Sequence, residues 1–247
     1  MVDEMEEMTR THGLDYFFFV DDIFNHPAKQ AEDICRELIR RKLNVGWTCF
    51  ATPKSMTIEL LRLMKEAGCK GVEFGTDAAS DLMLRNMGKS FTKADVRRVS
   101  ALCKEAGLPA AHYIILGGPG ETEETVKEAF EFMDEVDPRA VIAMIGVRVY
   151  PKTPLEQTSI DDGIIKAGQS ILDSTFYISP LIDRERLLSI VETGASERRN
   201  WVVPALDIRN SEEAMAALRR FGHRGPLWDM LGERRRTGIK EGANGTA

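Results

Sequence analysis

The chain is poor in the residues that build local metal and redox motifs. Its 247 residues include four cysteines, Cys35, Cys49, Cys69 and Cys103, set 14, 20 and 34 positions apart. No C-x-x-C or other compact pattern results, which excludes zinc knuckles and local cluster motifs. Isolated thiols in a chain without a secretory signal read as buried apolar side chains. The four histidines, His12, His26, His112 and His223, are equally scattered and form no H-x-x-x-H and no nucleophile–base pair. Long apolar runs are missing as well: the longest, Ala140 to Val147, is far too short to span a bilayer. The opening MVDEMEEMTRTHG is acidic and amphipathic, unlike a signal or transit peptide. The expectation is a soluble, cytoplasmic protein with no membrane span. Charge of one sign is not in large excess. With Lys+Arg 33, Asp+Glu 39 and a net charge of −6, the chain does not read as a nucleic-acid binder. The one dense basic run, Arg234-Arg235-Arg236, lies near a tail ending GANGTA and reads as a solvated end.

What is present is alternation. Tyr16–Val20, Val45–Cys49, Gly71–Phe74, Ala111–Leu116 and Ala140–Val147 read as strands, being short and rich in β-branched or aromatic residues. Between them Ala28–Lys42, Met56–Ala67, Lys93–Ala106 and Glu121–Val136 carry apolar residues at helical spacing, for example Ile58, Leu61 and Met64. Such βα units wind into a parallel sheet or barrel, and ligands gather at the carboxyl ends of its strands. Polar and glycine-rich residues fall at those ends: Asp21 and Asp22, then Gly75, Thr76 and Asp77, then Gly117-Gly118-Pro119-Gly120, then Arg148, Tyr150 and Pro151.

The glycine loop joins an apolar strand to an acid-rich helix. Glycines there supply positive φ and let backbone approach a ligand that a β-carbon would hold off. Glu121, Glu123 and Glu124 repel a phosphate, and no P-loop lysine is present, so a neutral planar group such as a nucleobase suits the loop better. A tight turn with no ligand is the alternative. At the start, a helix from Val2 to about Thr11 has no strand before it, so it is expected to be poorly anchored, with Met5 and Met8 little buried. From Glu156 onward the alternation fades into polar loops, two helices near Arg184–Ser196 and Ser211–Phe221, and WVVP (Trp201–Pro204) between them. This reads as a core over 1–155 and an appended extension over 156–247.

Taken in order, FFFVDDIFN (Phe17–Asn25), LMKEAGCKGVEFGTDAASDLMLRNMGK (Leu63–Lys89), IILGGPGET (Ile114–Thr122) and GVRVYPKTPL (Gly146–Leu155) resemble the radical S-adenosylmethionine (radical SAM) superfamily. Within it, the chain is most similar to the branch that often carries an upstream cobalamin-binding domain. The resemblance covers about residues 1–155. It implies an α/β fold, a partial (β/α)6 TIM-like barrel here missing its first strand, plus a mostly helical C-terminal extension. S-adenosylmethionine would lie across the strand ends. Asp21 or Asp22 would meet the methionine amino group, one of the two facing inward. Asp77 would meet the ribose or the methionine end, although Ala78 stands where the family often has Ser. Ile115, Gly117, Gly118, Gly120 and Glu121 would form the adenine motif, with Glu121 alternatively a helix-start acid. Arg148 and Val149 would close the site, and Lys89 would order carboxylates or stand exposed.

One departure matters. The family's C-x3-C-x2-C motif, whose three thiolates hold a [4Fe–4S] cluster, has no counterpart here, so none of the four cysteines is assigned as a ligand. The resemblance therefore implies the C-terminal portion of a radical SAM enzyme that generates a 5′-deoxyadenosyl radical for hydrogen abstraction, methyl transfer or cyclisation. A small-molecule substrate, a flavodoxin- or ferredoxin-type reductant, cobalamin from an upstream domain, and a separate chain supplying the N-terminal half are the implied partners. Two alternatives stand beside it: a non-catalytic subunit that binds S-adenosylmethionine or a partner chain, and a TIM-like lyase or aldolase that uses no iron.

Overall fold

The structure, a computed structural model, describes residues 1–20, 23–171, 174–206 and 225–229. Helix α1 (Val2–His12) leads into strand β1 (Tyr16–Phe19). Alternation then runs through α2 (Ala28–Arg40), β2 (Gly46–Ala51), α3 (Ile58–Glu66), β3 (Cys69–Asp77), α4 (Asp81–Asn86) and α5 (Lys93–Ala106). It continues through β4 (Ala110–Leu116), α6 (Glu123–Val136), β5 (Ala140–Ile145), β6 (Val147–Arg148), α7 (Pro154–Asp161), β7 (Phe176–Tyr177), α8 (Arg184–Ser196) and β8 (Trp201–Val202). Six of these strands form one sheet in the order β1-β2-β3-β4-β5-β8, every neighbouring pair parallel. Strands β6 and β7 make a separate antiparallel ribbon.

Side chains alternate across such a sheet. Trp47, Cys49, Val72, Phe74, Ile114, Leu116, Val141 and Ala143 point to the helix layer and form the core with the apolar stripes of the helices. On α2 that stripe is Ala31, Cys35 and Leu38, spaced four and three residues apart as one helical face requires. Thr48, Phe50, Glu73, Gly75, Tyr113 and Ile115 have the opposite parity and line the inner face. Helix starts are fixed by side chains: Thr57, Ser80, Thr92, Thr122, Thr153 and Asp183 each accept a backbone N–H from the first turn. Each such cap is worth about 1 kcal/mol.

The opening helix is anchored, contrary to expectation. Val2 and Met5 are buried beside α2, and Arg41 reaches both Asp3 and Glu6; Met8 alone of the three apolar positions is exposed. The covering surface is α2 and the β1–β2 core. The single strand read over Ala140–Val147 breaks at Gly146, whose φ of +78° turns the chain out of the sheet. The alternation also does not fade past Glu156. Helix α8 packs on α6, and Trp201–Val202 becomes the sixth strand, paired with Val141 and Ile142. Asp21, Asp22, His223, Arg234–Arg236 and the helix read over Ser211–Phe221 lie outside the described residues. Among the described residues no helix is long and apolar enough to cross a membrane.

Candidate active site at the strand ends

Strand β3 ends in an irregular turn that aims one carboxylate at the inner face. A register shift lies between Gly75 and Asp77, and Asp77 adopts φ +59°, a left-handed value that few non-glycine residues take. A β-carbon placed on Gly75 would have one neighbour within 4 Å, Asp77 Oδ1 at 4.0 Å. The carboxylate thus folds over an open backbone cradle. Lys89, which follows the left-handed Gly88 after α4, forms an ion pair with Asp77, and both side chains are one-quarter exposed.

Behind this turn lies a buried polar chain. Thr76 Oγ1 is 2.7 Å from His112 Nδ1, and His112 Nε2 is 3.0 Å from Ser100 Oγ, which donates to the Val96 carbonyl at 2.8 Å. The serine proton is spent on Val96, so Ser100 accepts from Nε2–H. Burial pushes the His112 pKa down to about 3, leaving the ring neutral with a bare Nδ1 that accepts from Thr76. His112 thus pins Thr76 on the helix side while Asp77 turns inward. Sequence reading gave His112 no partner, because Thr76 and Ser100 lie 36 and 12 residues away.

The glycine loop is stapled from within. Glu121 is buried and folds back so that its carboxylate accepts from the Gly117 N–H at 3.1 Å, from Gly118 N–H and from the Thr125 hydroxyl. Desolvation raises its pKa, and those three donors oppose the rise. Helix α6 starts after Thr122, so Glu121 precedes the cap rather than occupying the first turn. The Gly117 carbonyl accepts from Ser179 N–H at 2.9 Å, and Asn86 of α4 donates to the Pro119 carbonyl at 2.9 Å. A β-carbon at Gly117 would lie 3.1 Å from Leu187 Cδ2, and one at Gly118 2.9 Å from Met87 Sδ. At these two glycines the close approach is to protein: α8 on one side, α4 on the other. Gly117 and Gly120 also have φ of +93° and +83°. Ile115 is half-buried at the inner-facing parity of β4.

Beyond β5, Arg148 is exposed with its guanidinium 5.1 Å from the Tyr150 ring centre, while Val149 is buried in a satellite cluster with Ile165 and Tyr177. Strand alternation sends these two side chains to opposite faces of the β6–β7 ribbon. Sequence reading missed Glu73, a carboxylate 6% exposed in mid-strand on the inner face, which accepts from Tyr113 Oη–H at 2.7 Å and Trp228 Nε1–H at 3.1 Å. Its signal was available: Glu73 shares its parity with Gly75 and Asp77.

All four cysteines are buried in the layer between β2, β3, α2 and α5. Burial pushes the Cys35 and Cys103 thiols up to about 12 and raises Cys49, whose thiol is in hydrogen-bond contact with Cys69. Iron–sulfur ligands are exposed to the cluster as thiolates; these four thiols lie in the buried core, and burial holds those of Cys35, Cys49 and Cys103 protonated. They do not fit a [4Fe–4S] cluster at the strand ends. Among the described residues no three His, Cys, Asp or Glu side chains are grouped to hold a metal ion.

A family model described as the Radical SAM superfamily matches residues 1–133. An uncharacterized methyltransferase of Pyrococcus horikoshii is 28% identical over 165 residues, covering 67% of this chain and 36% of that protein. The anaerobic magnesium-protoporphyrin IX monomethyl ester cyclase of Rubrivivax gelatinosus is 31% identical over 140 residues, covering 56% of this chain and 25% of that protein. Among solved structures, the radical S-adenosylmethionine methyltransferase TsrM from Kitasatospora setae, with cobalamin and a [4Fe–4S] cluster bound, aligns with a TM-score of 0.78 at 21% identity. The alignment covers 95% of this chain and 53% of that one, and it shows the partial TIM-like barrel fold. The chain spans about a quarter to a half of the length of these relatives.

Proposed function

The chain belongs to the radical S-adenosylmethionine superfamily, and from that premise we propose that it is the C-terminal portion of an enzyme that generates a 5′-deoxyadenosyl radical. Members of the family use S-adenosylmethionine, a [4Fe–4S] cluster, a small-molecule substrate and a reductant. The carrying observation is the Asp77–Lys89 pair over the bare Gly75 cradle, at the carboxyl end of β3. A carboxylate held there suits the hydroxyls of a ribose or an ammonium group, and the lysine suits a carboxylate. Ile115 and the loop Gly117, Gly118, Gly120 and Glu121 form the neighbouring wall for the adenine. Because the loop's amides at 117 and 118 are already bound to Glu121, that wall acts by shape and by its remaining edges. Arg148 is proposed to border it, with Val149 bracing the ribbon from its buried face, and Asp21 or Asp22 is proposed at the methionine amino group.

In a complete enzyme, a cluster held by thiolates outside this chain would supply the electron for sulfonium cleavage, while this chain's own residues would hold the nucleoside and exclude water from it. The ligating thiolates are proposed to come from a segment N-terminal to this one or from a separate chain, with a flavodoxin- or ferredoxin-type reductant, in the cytoplasm. Residues 1–155 are the proposed radical SAM core, and 156–247 the extension that completes its sheet. The methyltransferase and cyclase relatives support methyl transfer, with cobalamin from an upstream domain, or cyclisation. Calorimetry with S-adenosylhomocysteine tests the site: Asp77→Asn weakens binding by about 1–2 kcal/mol, the range of a lost charge-assisted hydrogen bond. Equal affinity in a folded Asp77→Asn chain removes Asp77 from the site.

A second reading, a non-catalytic subunit that binds S-adenosylmethionine, is favoured by one observation, the burial of all four thiols. Reconstitution with iron and sulfide under anaerobic conditions leaves this chain without a stoichiometric cluster on both readings, measured as absorbance near 400 nm and iron content. Adding the N-terminal segment restores about four irons per complex on the first reading only. Four irons on the isolated chain, lost with Cys49→Ser, overturn both. The lyase or aldolase reading has no such support, since Lys89 is engaged by Asp77.

A further inference from the structure

The lower half of the barrel interior is built around one indole. Residues 225–229 return to the inner face, where Trp228 is 8% exposed. Its ring lies on Gly71 so closely that a β-carbon there would come within 2.6 Å of Trp228 Cη2. Ala111 and Ala140, direct partners on β4 and β5, are also small, and Ile142, Tyr113 and Val202 complete the lining. A row of minimal side chains across three strands leaves room for a flat ring and for little else. The ring's one polar atom, Nε1, donates to Glu73 Oε1 at 3.1 Å, while Tyr113 donates to Oε2 at 2.7 Å. The next residue, Asp229, accepts from Arg139 Nε at 2.6 Å and fixes the segment at the rim. Gly71, Ala111 and Ala140 all lie in the N-terminal parts of their strands, at the end opposite Asp77 and the glycine loop.

We propose that Trp228 is the floor of the barrel, a seat for a planar N–H-bearing aromatic ring that the chain's own C-terminal segment fills. Among the described residues the ring covers the strand N-terminal end of the interior and, with Tyr113, engages both oxygens of Glu73. The residue types explain the choice. Phenylalanine would leave a buried Glu73 oxygen unpaired, alanine would leave a cavity the size of an indole, and any side chain larger than hydrogen at position 71 would expel the ring. The inference rests on the contacts of residues 225–229 alone and is independent of S-adenosylmethionine binding.

The chain contains three tryptophans, so incorporation of 5-fluorotryptophan gives three fluorine resonances, and Trp228→Phe assigns one of them. Glu73→Gln shifts the Trp228 resonance and leaves those of Trp47 and Trp201 in place. Trp228→Ala lowers the melting temperature by roughly 10 °C, and millimolar free indole restores part of that loss without raising the wild-type value. Where Trp228→Ala does not fold, the fluorine comparison in wild type and Glu73→Gln decides alone. A Trp228 resonance that ignores Glu73→Gln and broadens with a soluble paramagnet overturns the floor. Indole that stabilises wild type and Trp228→Ala equally overturns the seat. Both readouts stand whether or not the chain binds S-adenosylhomocysteine, so failure of the strand-end site leaves them unchanged.

Discussion

At one edge of the sheet, β8 contributes only two residues, yet Trp201 and the following Val203 are fully buried, and the Trp201 ring stacks on Phe130 with centres 4.3 Å apart. At the other edge, β1 pairs with β2 on one side only among the described residues; it carries exposed Phe18 and is bracketed by exposed Leu14, Val20 and Ile23. The shorter strand is the better protected one. A sheet edge is finished by what covers it, here α8 and an aromatic stack, rather than by the number of ladder hydrogen bonds. The β1 edge, with apolar side chains in solvent, has the character of a strand awaiting a neighbour, which agrees with the proposal that the chain is one portion of a larger barrel.

The largest effect comes from breaking the finished edge. Trp201→Ala removes a fully buried indole, its stack on Phe130 and the packing beneath α8, where Gly194 already brings the helix onto the Phe130 ring. A loss of about 3–5 kcal/mol is expected, the range for buried Trp to Ala. Denaturant unfolding followed by far-ultraviolet circular dichroism measures it. A loss below about 1 kcal/mol would mean that β8 is an ornament and that both edges are open.

How much of this was legible depended on the distance over which each signal acts. Most helices and strands up to Val136 declare themselves through local periodicity, and the structure reproduces Lys93–Ala106 to the residue, whereas the six-residue helix α4 was too short to show a period. The β8 strand did not declare itself: a two-residue ladder carries no period, and its burial depends on Phe130, 71 residues earlier in the sequence. The site divides in the same way. Asp77 and the glycine loop stood out by composition, while Lys89 entered only through the family resemblance. The Thr76–His112–Ser100 chain and the Trp228–Glu73 contact are long-range pairings between single residues, invisible until the strands are in register. At Gly117 the positive φ read from the sequence is present, and the direction a β-carbon would take is occupied by Leu187 of α8.

Acid weakens the middle of the sheet rather than either edge, and this sharpens the contrast between β3–β4 and the rims. His112 is neutral in the fold with its pKa pushed down to about 3 by burial, whereas the unfolded chain titrates near 6.5. The unfolded state therefore binds the extra proton. The contribution is fully present above about pH 6.5 and is lost as pH falls toward 3, at about 1.4 kcal/mol per pH unit. Glu121 acts with the opposite sign, because its raised native pKa favours the protonated fold in acid. Comparing wild type with His112→Gln at pH 7 and pH 5 cancels the Glu121 contribution, and the stability gap should change by roughly 2 kcal/mol. A gap that stays constant with pH would show that His112 is protonated or solvated in the fold.

The smallest change in stability, and the most direct test of the open edge, is Val20→Lys. Val20 follows β1 with 73% of its surface exposed, so the substitution removes no packing and should alter stability by no more than about 0.5 kcal/mol. Its effect lies in association. An uncovered parallel edge flanked by apolar side chains templates pairing with other chains, and lysine on such an edge is a common way to block it. Wild-type protein should therefore show concentration-dependent association by analytical ultracentrifugation, and Val20→Lys should reduce it. A matched change at the finished edge, Val202→Lys, should instead destabilise the fold, because Val202 is half-buried against the Trp228 cluster. If Val20→Lys costs as much stability as Val202→Lys, the β1 edge is covered by the chain itself. In that event the asymmetry between the two edges disappears, and with it the support that β1 lends to a missing neighbour strand.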